Sequence, residues 1–301
     1  MKIVFAGLAN AGKTSIILTV DREMEKLEGL KPTQGVDTST FYFLGIPFFR
    51  WDLGGQKKYL KRYVANAERY FAETSLLIYV IDVQDLADET VKETIGYFKE
   101  IHKAYKRLKE EPQVALFFHK YDPDLANKPD AAIERLESEC RKTFPADDVH
   151  VFKTSVKEPE ALRHKFVEAI KLVFTKARVV DHQLDELGAQ FGARFLYVYD
   201  SRHIQIAQHI EEGVGFEAIN RFNQESKPIV EELLSGKRQE TVTKEFEPGW
   251  TTVAESFDAD GENYVIAGVL PNGVALIEEA LANFLTTCKE NIRKTMAMFE
   301  K

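Results

Sequence analysis

The sequence predicts two consecutive domains: an α/β domain with a mixed, mostly parallel six-stranded sheet over residues 1–176, then an α+β domain over residues 177–301. Three observations carry this. The chain of 301 residues is too long for one average domain and comfortable for two, each able to bury its own core. Its first part alternates short β-rich apolar runs with amphipathic helical stretches, the pattern of a parallel sheet flanked by helices. After Lys176 the order becomes helix, two strands, helix, three strands, long helix.

In the first domain, strands are expected at Lys2 to Ala6, Thr40 to Leu44, Pro47 to Asp52, Leu76 to Asp82, Val114 to Phe118 and Val149 to Lys153. Leu44-Gly45-Ile46-Pro47 reads as a hairpin turn, so the second and third strands should pair antiparallel. Helices are expected at Ser15 to Leu27, Glu89 to Lys109 and Glu158 to Lys176, and in the other gaps. Phe166, Ile170, Val173 and Phe174 show the helical spacing.

In the second domain, Leu184, Leu187 and Phe191 mark one face of a leading helix. Strands Phe195 to Tyr199 and His203 to Ala207 flank the turn Asp200-Ser201-Arg202. A helix over Phe216 to Leu234 contains Pro228, which predicts a kink or break. Three strands follow at Thr241 to Phe246, Thr251 to Phe257 and Tyr264 to Leu270. A last helix over Val274 to Phe299 aligns Ile277, Leu281, Phe284, Cys288, Ile292 and Met296.

Composition excludes some classes. With 44% hydrophobic and 29% charged residues the chain resembles ordinary globular proteins, neither disordered nor membrane-spanning. A net charge of -8 speaks against a nucleic-acid partner. Cys140 and Cys288 fall in different domains without metal-type spacing, which suits reduced thiols in the cytoplasm. No run approaches the roughly 20 apolar residues of a membrane span, and neither Lys2 nor the closing Met298-Phe299-Glu300-Lys301 suits lipidation. No direct membrane anchor is expected.

The strongest motif is Gly7-Leu8-Ala9-Asn10-Ala11-Gly12-Lys13-Thr14, a G-x-x-x-x-G-K-T loop between a strand and a helix. Its glycines let backbone N–H groups wrap phosphate oxygens, the helix N-terminus favours anions, and Lys13 reaches the outer phosphates. Gly7, Asn10, Ala11, Gly12, Lys13, Thr14 and Ser15 are thus candidate nucleotide contacts, with Thr14 a hydroxyl ligand for Mg²⁺. Asp52-Leu53-Gly54-Gly55-Gln56 closes the third strand. There Asp52 can hold Mg²⁺ through water, Gly55 can turn its N–H to a γ-phosphate, and Gln56 can orient the attacking water.

Between these stations lies Lys31-Pro32-Thr33-Gln34-Gly35, where Thr33 would reach Mg²⁺ when a γ-phosphate is present. His119-Lys120-Tyr121-Asp122 ends a buried strand. The two acceptors of Asp122 match the N1–H and amine of guanine, and the Lys120 stem can cover the base. Thr154-Ser155-Val156-Lys157 follows the last strand, where a backbone N–H of Ser155, Val156 or Lys157 could bind the guanine carbonyl. These residues favour GTP over ATP, with Lys13, Thr33 and Gln56 as the catalytic candidates.

The first domain is therefore identified as a P-loop NTPase G domain. Its loop, Pro32-Thr33-x-Gly35 and Trp51-Asp52-Leu53-Gly54-Gly55-Gln56 resemble those of Arf-type GTPases. Phe43-Leu44-Gly45, Leu77-Ile78-Tyr79-Val80-Ile81-Asp82-Val83 and His119, where most small GTPases carry asparagine, look more like the Rag/Gtr family. The second domain is similar in element order to the roadblock/longin-like module of that family.

The resemblance implies a cytoplasmic switch that binds GTP or GDP with Mg²⁺ and hydrolyses GTP slowly. It also implies a homodimer, or a heterodimer with a paralogous GTPase, formed through residues 177–301. A roadblock/longin-type scaffold, an activator and an exchange factor are the implied partners, with membrane surfaces reached through them. His203-Ile204-Gln205-Ile206-Ala207 is the strand expected to pair across the two-fold axis. Two alternatives stay open: a nucleotide-dependent scaffold with negligible hydrolysis, and an Arf-like membrane-trafficking GTPase. Ala9, where Arf loops carry aspartate, weighs against the latter.

Overall fold

The computed structural model describes residues 1–272 apart from 44–45, 126–128, 145–148, 175–176, 239–240 and 260–261, and beyond 272 only Glu290 and Lys294. The chain divides into two compact units, Met1–Val173 and Phe174–Lys301. In the first unit the strands are β1 (Lys2–Ala6), β2 (Val36–Phe43), β3 (Ile46–Leu53), β4 (Thr74–Asp82), β5 (Gln113–His119) and β6 (Val149–Thr154). They lie in the order β2-β3-β1-β4-β5-β6. The β2–β3 pair is antiparallel and every other neighbouring pair is parallel. The expected turn residues Leu44 and Gly45 lie outside the described residues.

Among the described residues six α-helices accompany this sheet: α1 (Lys13–Val20), α2 (Lys57–Ala65), α3 (Ala67–Phe71), α4 (Asp88–Leu108), α5 (Asp130–Arg141) and α6 (Pro159–Val173). They cover both faces. Val4, Ala6, Leu77 and Tyr79 share a core with Leu60, Phe71, Phe98 and Ile133 of α2 to α5. Phe5, pointing the other way, stacks on Phe166 of α6 at 6.2 Å between centroids. Burial on both faces explains why β4 and β5 read as unbroken apolar runs in sequence.

Two boundaries differ most from the sequence reading in this unit. The first helix ends at Val20 and not at Leu27, and a separate 3₁₀ turn follows at Met24–Leu27. Arg22 takes the left-handed conformation that closes a helix, and Asp21 accepts both terminal nitrogens of the buried Arg50 at 2.8 and 2.6 Å. Strand β2 begins at Val36, earlier than expected, because Asp37 to Thr40 sit exposed on a sheet edge and carry no apolar alternation.

The second unit contains α7 (Ala177–Phe191), β7 (Phe195–Tyr199), β8 (Gln205–Ile210), α8 (Phe216–Leu234), β9 (Val242–Glu247), β10 (Trp250–Ala259) and β11 (Glu262–Pro271). Its sheet runs β8-β7-β11-β10-β9, antiparallel throughout. Phe222, Val230 and Leu233 of α8 pack on Phe195, Tyr197, Phe246 and Val265. The helix runs unbroken through Pro228. Pro228 and Gln224, whose carbonyl the ring leaves without its helical partner, are both exposed, so water can take the missing bond. Of the helix expected at Val274 to Phe299, only Glu290 and Lys294 are among the described residues, and both are helical.

Strand β8 starts two residues later than expected. Asp200 organises the preceding turn, its carboxylate accepting the N–H groups of Arg202 (3.0 Å) and Ile204 (2.8 Å), while His203 turns left-handed. One outward N–H of β8 is met from within the unit. Glu211 N–H bonds Arg194 O at 2.9 Å across the strand pair, so alternation turns the Gln208 N–H outward, where it donates to Asp181 of α7 at 3.3 Å. At the opposite edge, Thr243, Lys244 and Glu245 of β9 are consecutively exposed.

Candidate functional site

Parallel pairing brings the C-terminal ends of β1, β3, β4, β5 and β6 to one edge of the first sheet, the usual place for a ligand in an open α/β fold. The loop after β1 wraps tightly because its glycines allow it. A side chain on Gly7 would place Cβ 2.3 Å from the Val80 carbonyl, and Gly12, at φ 96°, closes on the His119 ring. Helix α1 then begins at Lys13 without a side-chain cap, leaving its first-turn N–H groups available to an anion. Lys13 is buried and its ammonium donates to Gly7 O (3.1 Å) and Leu8 O (2.8 Å) across the loop mouth. Burial lowers its pKa to about 8, against the opposing pull of Asp52.

Thr14, Thr33 and Asp52 come from α1, the loop before β2, and the end of β3, and they meet. Thr14 Oγ1 donates to Asp52 Oδ2 at 2.6 Å, Thr33 Oγ1 donates to the same oxygen at 3.1 Å, and the two hydroxyls are 2.9 Å apart. Burial raises the Asp52 pKa, opposed by the Thr14 hydroxyl, the Lys13 charge and the Thr33 hydroxyl. Its other oxygen, Oδ1, is buried with no hydrogen-bond partner. A hard, all-oxygen donor set with an unspent carboxylate oxygen fits Mg²⁺, which is typically held by one or two carboxylates together with phosphates.

Beside it, Gly54 and Gly55 are required by close approach. A Cβ on Gly54 would lie 2.5 Å from Thr33 O, and one on Gly55 would lie 2.3 Å from Ala9 N. Gln56 sits at the N-cap of α2 with its Oε1 buried and unbonded.

The strands β5 and β6 supply the other half. Asp122 accepts from Ser155 Oγ (2.5 Å) and from Gln84 Nε2 (3.1 Å), and lies 3.2 Å from Lys157 Nζ. Burial would raise its pKa, but the bonds from Ser155, Lys157 and Gln84 outweigh it and hold the carboxyl below its usual range. Lys157 N–H closes back on Ser155 Oγ at 3.0 Å. Lys120, at φ 60°, is fixed by Asp82 at 2.6 Å. Val156 follows β6 in the same turn.

Compared with known families, residues 2–229 match the model described as the Gtr1/RagA G protein conserved region. The chain belongs to that family. The match covers more than half of the chain and runs past the end of the first unit.

Among curated proteins it is similar to ADP-ribosylation factor-like protein 2 of Arabidopsis thaliana, 36% identical over 86 residues, 29% of this chain and 43% of that protein. It is also similar to ADP-ribosylation factor-like protein 3 of Chlamydomonas reinhardtii, 39% identical over 84 residues, 28% of this chain and 44% of that protein. The chain thus spans less than half the length of these relatives. Of solved structures, the Arl6 (BBS3) small GTPase of Trypanosoma brucei with bound GppNp aligns at TM-score 0.47 and 20% identity, covering 58% of this chain and 98% of that one. The mammalian SRP receptor aligns at 0.41 and 16%, covering 52% and 92%.

Members of this family are small GTPases, which generally bind GTP or GDP with Mg²⁺. Within a Gtr1/RagA-type chain, His119 has a readable structural task. It is 1% exposed, its Nδ1 lies 3.0 Å from Thr154 Oγ1, and its ring edge abuts Gly12, so it ties the ends of β5 and β6 to the loop after β1. Burial, and then the Lys120 charge, lower its pKa to about 4 against the pull of Asp122, so it is neutral near pH 7.

The structure thus gathers Gly7, Asn10 to Ser15, Thr33, Asp52, Gly55 and Gln56 at one station, and His119, Lys120, Asp122, Ser155, Val156 and Lys157 at another. Sequence reasoning missed Gln84, which also bonds Lys120 O at 3.0 Å, and Tyr63 of α2, which bonds Gly35 O at 2.6 Å. Gln84 was findable, since it follows the end of β4 on the same sheet edge. Nothing in the sequence around Tyr63 signals its contact. Among the described residues no group of three or more His, Cys, Asp or Glu could form a metal cage, and no helix is long and apolar enough to cross a membrane.

Proposed function

We propose that this chain is a guanine-nucleotide switch that binds GTP with Mg²⁺, hydrolyses it slowly to GDP and phosphate, and dimerises through its second unit. The observation that carries this reading is the meeting of the Thr14 and Thr33 hydroxyls on Asp52, beside Lys13, with one carboxylate oxygen left over.

When bound, Mg²⁺ would neutralise charge on the β- and γ-phosphate oxygens, with Thr14 and Thr33 as hydroxyl ligands and Asp52 acting through water. Lys13 exchanges its two loop carbonyls for phosphate oxygens, and the N–H groups opening α1 complete the cradle. Asp122, kept ionised by Ser155 and Lys157, accepts from the guanine N1–H and amine and turns its acceptors against adenine. The unbonded Gln56 Oε1 is an acceptor free to orient the attacking water.

Turnover by the chain alone is slow in this reading. Arg50 and Arg163, the buried arginines of the first unit, are spent on Asp21 and on Thr19 O. An activator supplying an arginine is expected to accelerate hydrolysis by about 10³- to 10⁵-fold.

The second unit is assigned as a roadblock/longin-like dimerisation module, making a homodimer or a heterodimer with a paralogous GTPase. Its sheet supports one revision of the pairing edge. Asp181 already takes one outward N–H of β8, whereas β9 keeps an exposed stretch that suits strand addition across a two-fold axis. In this reading the switch is cytoplasmic and a scaffold brings it to membrane surfaces. Competition binding of GTP and ATP with and without Mg²⁺, followed by single-turnover hydrolysis in wild type and Gln56→Leu, tests the proposal. Mg²⁺-dependent preference for GTP and slower hydrolysis in the variant are expected. A preference for ATP would overturn the guanine assignment, and equal hydrolysis would remove Gln56 from catalysis.

A further inference from the structure

Tyr63 lies on α2, seven residues or about two helical turns beyond Gln56. Its hydroxyl donates to the Gly35 carbonyl at 2.6 Å, and the Gly54 N–H donates to that same oxygen at 2.8 Å. Gly35 stands two residues after Thr33 and adopts φ 75°, so the loop turns sharply at the bonded residue. The phenol is held firmly. It is 1% exposed, edge-on to Tyr70 at 4.8 Å and stacked with Tyr59 at 6.3 Å.

We propose that Tyr63 is a positioning residue, a latch whose hydrogen bond to Gly35 holds the 31–35 loop closed so that Thr33 stays at the metal position and GTP is favoured over GDP. This rests on the guanine-nucleotide reading above. Thr33 contributes to ligand binding only when a γ-phosphate and its metal are present, so tightening its loop stabilises the triphosphate complex and leaves the diphosphate complex alone. The same bond makes the loop sensitive to α2. A partner that tilts α2 must stretch or break it, releasing Thr33 while moving Gln56, which couples loop opening to the helix that carries the water-orienting residue.

Tyr63→Phe removes one oxygen and keeps the ring array. In full-length protein with Mg²⁺, the variant is expected to bind a non-hydrolysable GTP analogue about five- to tenfold more weakly, with GDP affinity within about twofold of wild type. The difference should shrink when Mg²⁺ is chelated, since Thr33 acts through the metal. Amide hydrogen exchange at residues 33–36 of the nucleotide-free chain should be faster than in wild type, and Tyr59→Phe should change neither readout. Equal losses for both nucleotides would mark Tyr63 as merely structural, and unchanged exchange at 33–36 would overturn the latch. If wild type itself fails to bind the analogue, the nucleotide reading falls, while the exchange comparison still decides whether Tyr63 holds the loop.

Discussion

The two units are built from sheets of similar size, yet among the described residues the candidate site falls wholly in the first. In the first, four parallel pairings aim five strand ends at one edge, so loops from distant parts of the sequence deliver Lys13, Thr14, Asp52, Lys120, Asp122 and Ser155 to a common site. In the second, every pairing is antiparallel, so the hairpin turns fall at both ends of the sheet, and the described residues assemble no such cluster. Charge follows the same division. The first unit carries 27 basic and 27 acidic residues, the second 13 and 21, so the whole net charge of -8 belongs to the second. A balanced unit sets less repulsion against an anionic ligand than an acidic one does.

The hardest test of this division is Phe222→Ala. Phe222 is fully buried and stacks on Phe195 at 5.1 Å, so truncation should cost the second unit about 3–5 kcal/mol. Denaturant unfolding should show an early transition, with nucleotide affinity of the full chain unchanged. Parallel loss of nucleotide binding would break the separation of roles.

A smaller effect probes the joint between the two halves of the first unit's site. The folded pKa of His119 is lowered to about 4, against about 6.5 in the unfolded chain. Above pH 6.5 both states hold a neutral imidazole and stability is full; between these values the unfolded state binds a proton that the folded state does not, so stability is lost as pH falls from 6.5 to 4, by about 3 kcal/mol in full. His119→Asn should remove that part of the acid loss. Identical stability profiles from pH 7 to 4 in wild type and variant would show that His119 is not the buried neutral group described.

Next comes the base. Asp122→Asn places donors opposite guanine's own donors and should weaken GTP by about 1.5–3 kcal/mol while relatively favouring xanthosine triphosphate. Competition among GTP, ATP and the xanthine nucleotide reads this directly, and an unaltered order of preference would detach Asp122 from base reading.

How much of this was legible follows from where each signal lies. The loop Gly7 to Thr14, Asp52 to Gln56 and His119 to Asp122 could be read because each is a short contiguous string at the end of an apolar run. The six-stranded sheet was readable for the same reason, its central strands being buried on both faces. Exposed β2 was read four residues short, since Asp37 to Thr40 carry no alternation. The start of β8 was misplaced because Asp200 spends its carboxylate on a turn that reaches Ile204. Tyr63 and Gln84 act through tertiary contacts across 28 and 36 residues, and local sequence holds no trace of such pairings.

The smallest expected effect separates the two edges of the second sheet. Asp181 accepts the outward N–H of Gln208 at 3.3 Å, a long bond from a side chain of the same unit. Asp181→Ala leaves that N–H without its partner and should cost about 0.5–1.5 kcal/mol of stability. If β9 is the pairing edge, uncovering β8 does not touch the dimer interface, so the variant should keep wild-type mass in light scattering. Thr243→Pro is the matching change on the other side: Asn272 N–H bonds Gly249 O across β10 and β11, so alternation turns the Lys244 N–H in toward Thr252 and the Thr243 N–H outward. Proline removes a backbone donor and blocks a further strand, and on an exposed edge it should dissociate the dimer at low micromolar concentration. The reverse pattern, with Asp181→Ala altering the mass and Thr243→Pro silent, would return the interface to β8. It would also mean that the bond to Asp181 competes with dimerisation and does not simply cover an unused edge.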